Sequence, residues 1–145
     1  MDVKNIEEIE AEIIAEFDLF DDWMDKYNYL IEMGRETPLI DPKFKIENNL
    51  ISGCQSRVWL HAKFEDGKII FTADSDAVIT KGIANILIRV MNNQTPDAII
   101  NAEFEFVDQI GLKEHLSPTR SNGLLSMIKQ MKLYALAFKT KSAQA

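Results

Sequence analysis

Between Val58 and Ala73 the apolar residues fall at every second position. Val58, Leu60, Ala62 and Phe64 alternate with Trp59, His61 and Lys63, and Ile69, Phe71 and Ala73 resume the alternation beyond Asp66-Gly67. Period two marks a strand with one buried face. Asp-Gly between two such runs marks a two-residue hairpin turn, because glycine takes positive φ without a Cβ clash. Folding the chain there predicts the pairs Glu65–Lys68, Phe64–Ile69, Ala62–Phe71 and Leu60–Ala73. The apolar sets of both strands then share one face, while Trp59 and Ile70 share the other and are read as a second layer or a partner surface. Two strands alone are marginal. Helices are expected over the apolar face, and a third strand is expected from residues 46–52 or from residues 103–107.

Elsewhere the period is helical. Ile9, Ile13, Phe17 and Phe20 form one stripe, preceded by Asn5 and Glu8 at capping-box spacing. Asp21 or Asp22 can cap a second helix that carries Trp23, Tyr27, Leu30 and Ile31 and stops at Gly34. Pro38 and Pro42 make residues 35–49 loop or extended chain. Asp74 or Ser75 can cap a helix that buries Ile79, Ile83, Ile86, Leu87 and Val90 and ends at Asn92-Asn93. Gly82 lies inside that helix at a cost of about 1 kcal/mol against alanine, which predicts a close approach by another element. Thr95-Pro96 opens a short helix. Residues 101–116 follow no single period. Residues 117–123 are a turn-rich entry to a last helix that buries Leu124, Ile128, Met131, Ala135 and Phe138, with Lys139 and Lys141 near its negative pole. The sum predicts an α+β fold: a small antiparallel β-sheet of about three strands with helices packed on one face, in a single domain over residues 1–145.

Composition narrows the chemistry. The net charge is −7 over 145 residues, which disfavours nucleic acid as a partner and favours a partner with a basic surface. The acidic start (Asp2, Glu7, Glu8, Glu10, Glu12) is unlike a secretory signal, and no apolar run approaches the ~20 residues of a membrane span. One cysteine cannot build an internal disulfide framework, so the expected location is the reducing cytoplasm.

That cysteine is Cys54, set in Ile51-Ser52-Gly53-Cys54-Gln55-Ser56-Arg57-Val58-Trp59. A lone cysteine is commonly a small buried hydrophobe. Here small polar residues surround it at the mouth of a strand, and Arg57 is near enough in sequence to favour the thiolate. Lowering a thiol pKa by one unit takes about 1.4 kcal/mol, which an arginine or a helix N-terminus can supply. One cysteine with two histidines, His61 and His115, cannot hold an iron–sulfur cluster. Neither histidine has a diagnostic spacing for a catalytic dyad, and no second cysteine is present to resolve a sulfenic acid. A one-thiol carrier that accepts sulfur from another protein's persulfide fits this inventory. A stand-alone thiol-dependent enzyme and a binding module with an inert cysteine remain as alternatives.

Three stretches, spread over roughly residues 23–138, carry a resemblance. They are Gly53-Cys54-Gln55-Ser56-Arg57-Val58-Trp59; Asp74-Ser75-Asp76-Ala77 followed by Lys81-Gly82; and His115-Leu116-Ser117-Pro118-Thr119-Arg120-Ser121-Asn122-Gly123-Leu124. Together they resemble SufE-type (SufE/CsdE) sulfur acceptor proteins of iron–sulfur cluster biogenesis. Arg57 and a longer N-terminal helix depart from that pattern. The resemblance implies a fold similar to the IscU-type scaffold without its full set of cluster ligands. It implies a partner, a pyridoxal-phosphate cysteine desulfurase of the SufS type, which the protein stimulates, and an iron–sulfur scaffold that receives the sulfur. It implies no cofactor or metal on this chain, since the pyridoxal phosphate belongs to the desulfurase. Cys54 is then the sulfur-accepting residue, with Gly53 letting the loop bend outward and Gln55 beside it. Arg120 would steady the thiolate or persulfide, its alternative being a structural contact at the helix entry. Asp74 would anchor the hairpin-to-helix turn or simply cap the helix, and His115 is read as a turn hydrogen-bonder rather than a catalyst.

Overall fold

A computed structural model describes residues 5–51 and 56–144. The chain starts with two helices, Ile6–Phe17 (α1) and Trp23–Gly34 (α2), and continues through 3-10 turns at Pro42–Phe44 and Glu47–Asn49. The hairpin follows as Val58–Glu65 (β1) and Lys68–Ser75 (β2). Val78–Met91 (α3), Pro96–Asn101 (α4), Phe106–Gln109 (α5), Leu112–His115 (α6) and the long Pro118–Gln144 (α7) complete it. Three of the expected caps form: the Asn5 side chain accepts from the Glu8 amide at 2.8 Å, Asp22 from the Asp25 amide at 2.9 Å, and Thr95 from the Ala98 amide at 3.2 Å.

The hairpin pairs in the expected register, Glu65 with Lys68, Phe64 with Ile69, Ala62 with Phe71 and Leu60 with Ala73. Val58, Leu60, Ala62, Ile69, Phe71 and Ala73 are buried, and they join the same hydrophobic core as α1, α2, α3 and α7. Among the described residues the sheet has two strands rather than about three. The reason lies in how its edges are closed. Along β2, Ile69 exchanges hydrogen bonds with Asn93 and Gln94, the Phe71 amide donates to the Asn92 side chain, and Ala73 bonds to Pro38 and Ile40. Along β1, Leu50 bridges Trp59 and the Ile51 amide donates to the Val58 carbonyl at 2.9 Å. Short straps from three places satisfy the edge groups that a third strand would take. Of the two candidate strands, residues 46–51 contribute that bridge and the Ile51 hydrogen bond among the described residues, and residues 103–107 run into α5.

The outward face of the hairpin is covered too. Phe44 stacks on His61 with ring centroids 3.7 Å apart, and Lys45 sits 4.6 Å over the Trp59 ring. His61 is therefore a half-buried, stacked ring. Burial first, then the charges of Lys43 and Lys63, push its pKa down and favour the neutral form.

Gly82 has the close neighbour its sequence position predicts. A Cβ there would lie 2.2 Å from the Leu30 carbonyl oxygen, and a Cβ on Gly34 would lie 2.8 Å from the Gly82 nitrogen. The crossing of α2 and α3 is backbone on backbone. A second tie joins α1 to α3: Arg89 forms a two-pronged pair with Glu16 at 2.9 and 2.8 Å, and the Tyr29 hydroxyl donates to the same carboxylate. The Arg89 hydrogen bonds hold the Glu16 carboxyl below its ordinary range against the opposing effect of burial. Burial, and then the bond to Glu16, push the Tyr29 phenol up to about 12.

Candidate functional site

Cys54, Gly53 and Gln55 lie outside the described residues, so the site is built from what brackets them. On the N-terminal side stands Ile51, buried and hydrogen-bonded to Val58. On the C-terminal side stand Ser56 and Arg57. The Arg57 amide donates to the Asp76 carboxylate at 3.1 Å, and the Ser75 hydroxyl donates to the Arg57 carbonyl at 2.8 Å. The Asp76 amide reaches the same carbonyl at 3.3 Å. The strand-to-helix corner after β2 thus grips the backbone where the cysteine segment returns to β1.

Asp74 belongs to this corner, though not as a helix cap. Ala77 occupies the cap position of α3 with no side-chain hydrogen bond, because Asp74 and Ser75 are still within β2 when the chain turns. Asp74 instead accepts from Lys45 at 3.1 Å and from the Ser75 amide at 2.8 Å, and pairs with Lys81 at 3.4 Å. Burial works to raise its carboxyl, but the Lys45 hydrogen bond, the Ser75 amide and the Lys81 charge outweigh it and hold the pKa down.

Arg120, in the first turn of α7, lines one cavity with Ser56. Its guanidinium donates to the Tyr27 hydroxyl at 2.8 Å. Ser56, Thr80, Thr119, Arg120 and Gly123 line a cavity of about 60 Å³ whose remaining walls are Ile83 and Met127. Thr80 is buried. Hydroxyl-bearing residues and Arg120 share this lining with two apolar residues, and one of them, Ser56, stands two positions from Cys54 in sequence. Such a lining favours a small anion over a neutral thiol.

His115 is not at this cavity. It is exposed, its Nδ1 lies 3.0 Å from the Gly111 carbonyl oxygen, and its ring stacks on Trp23 at 4.4 Å. His61 is held on the outer face of the hairpin by Phe44. Neither histidine is among the residues lining the cavity.

Sequence reading missed three contributors. Tyr27 fits the helical stripe, which accounts for its ring but not for its hydroxyl bond to Arg120. Thr80 sits among the apolar residues of α3, where a buried hydroxyl is itself a signal. Asp76 stands one residue before a helix cap, in a run of short polar side chains that commonly bond nearby backbone amides.

Comparison with known proteins gives a consistent result. Residues 11–135 match the family model SufE, described as Fe-S metabolism associated domain. A SufE-like protein 1 of Arabidopsis thaliana, chloroplastic/mitochondrial by name, is 35% identical over 99% of this chain and 40% of its own length. An uncharacterized SufE-like protein of Synechocystis is 34% identical over 88% of this chain and 80% of its own. The chain thus spans well under half of the plant relative. A hypothetical protein from Thermus thermophilus, with a solution structure, shares the fold at a TM-score of 0.76, over 91% of this chain and 96% of that one, at 21% identity.

Proposed function

The chain belongs to the SufE family, associated with Fe–S metabolism, and from that premise we propose that it accepts sulfur on Cys54 from a SufS-type cysteine desulfurase, stimulates that enzyme, and relays the sulfur to an iron–sulfur scaffold. The Cys54 thiolate attacks the outer sulfur of the donor's persulfide. The donor's S–S bond breaks, its electron pair leaves on the donor thiolate, and a new S–S bond forms at Cys54. One thiolate enters and one leaves, so the step needs no external oxidant or reductant. The same exchange, run onto the next acceptor, unloads the sulfur.

One observation carries this reading. Ser56, two residues from Cys54, and the guanidinium-bearing Arg120 line one small cavity. A cavity needs roughly 10–15 Å³ to hold a water molecule, so this one, at about 60 Å³, has room for a thiolate and one added sulfur. Arg120 supplies positive charge there, and Tyr27 orients it. Gly53 gives the segment backbone freedom to swing toward a recessed donor, and Gln55 adds an amide beside the sulfur. Asp74 braces the corner that holds Arg57. His115 serves the α6 turn and takes no part in the exchange. The protein works in a reducing compartment such as the cytoplasm, where a lone thiol persists.

The test is incubation of the intact protein with a SufS-type desulfurase and cysteine, followed by mass spectrometry. The expected result is a gain of one or more sulfur atoms, about 32 Da each, removed by a reducing thiol. Cys54→Ser should fold and dock as the wild type does and gain nothing. A wild-type protein that never takes up reducible mass, or a Cys54→Ser protein that does, overturns the proposal. Turnover of a small acyl or peroxide substrate with no partner present would instead favour an independent thiol enzyme.

A further inference from the structure

We infer that the outer face of α7 is a docking groove for an acidic amphipathic helix of a partner protein, with a lining distinct from that of the Ser56–Arg120 cavity. Leu125, Leu133 and Leu136 are exposed by 48%, 48% and 52%. Single exposed leucines are ordinary, but these three share one groove of about 420 Å³ with Ile100 of α4 and Ile128. Lys129 and Lys132 complete its lining. From Leu125 to Leu136 the groove runs for roughly 16 Å along the helix, three turns, which matches the length over which a docked helix places its apolar anchors. The inner face of the same helix is already committed: Leu124, Met127, Met131 and Ala135 are buried in the core.

Charge selects the occupant. α7 carries Arg120, Lys129, Lys132, Lys139 and Lys141 and no aspartate or glutamate, in a chain whose net charge is −7; of these, Lys139 is paired with Asp97 of α4 at 2.6 Å. The acidity is concentrated elsewhere, since residues 1–36 hold twelve acidic side chains and three basic ones. Lys132 donates to the carbonyl oxygens of Ile100 and Ala102. Carbonyl oxygens hold its ammonium in place and leave its charge unneutralised. An apolar trough with lysines along it and no carboxylate on its own helix is complementary to a helix with leucine-type anchors on one face and carboxylates beside them. A second copy of this chain fits less well: its α1 is acidic, but the apolar side chains Ile6, Ile13 and Phe17 that would fill the trough are buried in its own core.

The test titrates the whole protein into a fluorescent three-turn peptide with leucines at i, i+4 and i+7 and glutamates elsewhere, read by anisotropy. A peptide with lysines for the glutamates is the control. The acidic peptide should bind at least about tenfold tighter than the basic one, and weaken as salt rises. It should shift the amide resonances of Ile100 and of Leu125 to Leu136 and leave those around Ser56 in place. Leu133→Glu with Leu136→Glu, at positions exposed enough to keep the fold, should abolish binding, and Lys129→Glu should weaken it. Equal affinity for both peptides, no binding at all, resonance shifts elsewhere, or no loss in the leucine variant overturns the inference. So does concentration-dependent self-association that the leucine variant removes, which would make a second copy the occupant. Sulfur uptake at Cys54 should be unaffected by these variants, so the two proposals stand or fall separately.

Discussion

The crossing of α2 and α3 at Gly82 and the corner at Ser75 and Asp76 that holds Arg57 lie a few residues apart in sequence yet obey different physics. At the crossing, backbone meets backbone, with Leu30 and Gly34 against Gly82. At the corner, Arg57 is held by three hydrogen bonds to Ser75 and Asp76. A contact of the first kind tolerates no added atom. A contact of the second kind can be released one bond at a time, each worth about 1 kcal/mol net. The scaffold is fixed by volume and the backbone at Arg57 by a few polar bonds, a difference that suits the two-partner exchange proposed for Cys54.

The comparison breaks most visibly at Gly82. Gly82→Ala places a methyl group 2.2 Å from the Leu30 carbonyl oxygen, so α2 and α3 must separate. A loss of about 3 kcal/mol or more, seen as a lower urea midpoint, is expected. An unchanged midpoint would mean that the crossing is loose.

Next in size is the pair that ties α1 to α3. Arg89→Met should cost roughly 2 kcal/mol, because a half-buried carboxylate loses its two-pronged partner. The pH profile should change with it. The Glu16 carboxyl is held below its ordinary value of 4.5 in the folded protein. Its contribution is therefore complete above that value and is lost as pH falls through the depressed folded value. In Arg89→Met the acid limb of the stability profile should flatten. A profile parallel to wild type would show that other carboxylates govern it.

Asp76→Ala sharpens the other side of the comparison. Stability should fall by only about 1 kcal/mol, while alkylation of Cys54 should speed up severalfold, because the segment has lost an anchor at Arg57. Equal alkylation rates in the two proteins would show that this anchor does not restrain the thiol. Smaller still is Arg120→Met. The fold should hold, with the midpoint of Cys54 alkylation against pH moving upward as the thiolate loses a cation. An unmoved midpoint would leave Arg120 as a contact of Tyr27 alone.

The chain announces some of this in its letters. The hairpin register follows from alternation about Asp66-Gly67, and the caps at Asn5, Asp22 and Thr95 form as their spacing predicts. Gly82 declares a close neighbour without saying which. The cysteine motif, the Asp74 stretch and the Arg120 stretch are legible as family marks. These features are local: each depends on residues a few positions apart, where helix and strand periods act directly.

Packing decided the rest. Asp74 and Ser75 fit the pattern of helix caps, yet the tertiary structure uses Asp74 to gather Lys45 and Lys81. Two strands suffice because straps from residues 38–40, 50–51 and 92–94 close the edges. Arg120 finds the Tyr27 hydroxyl from 93 positions away and meets Ser56 at one cavity. A sequence period specifies which face of an element is apolar. Which distant polar groups then converge depends on how those faces dock, and only the folded chain sets that.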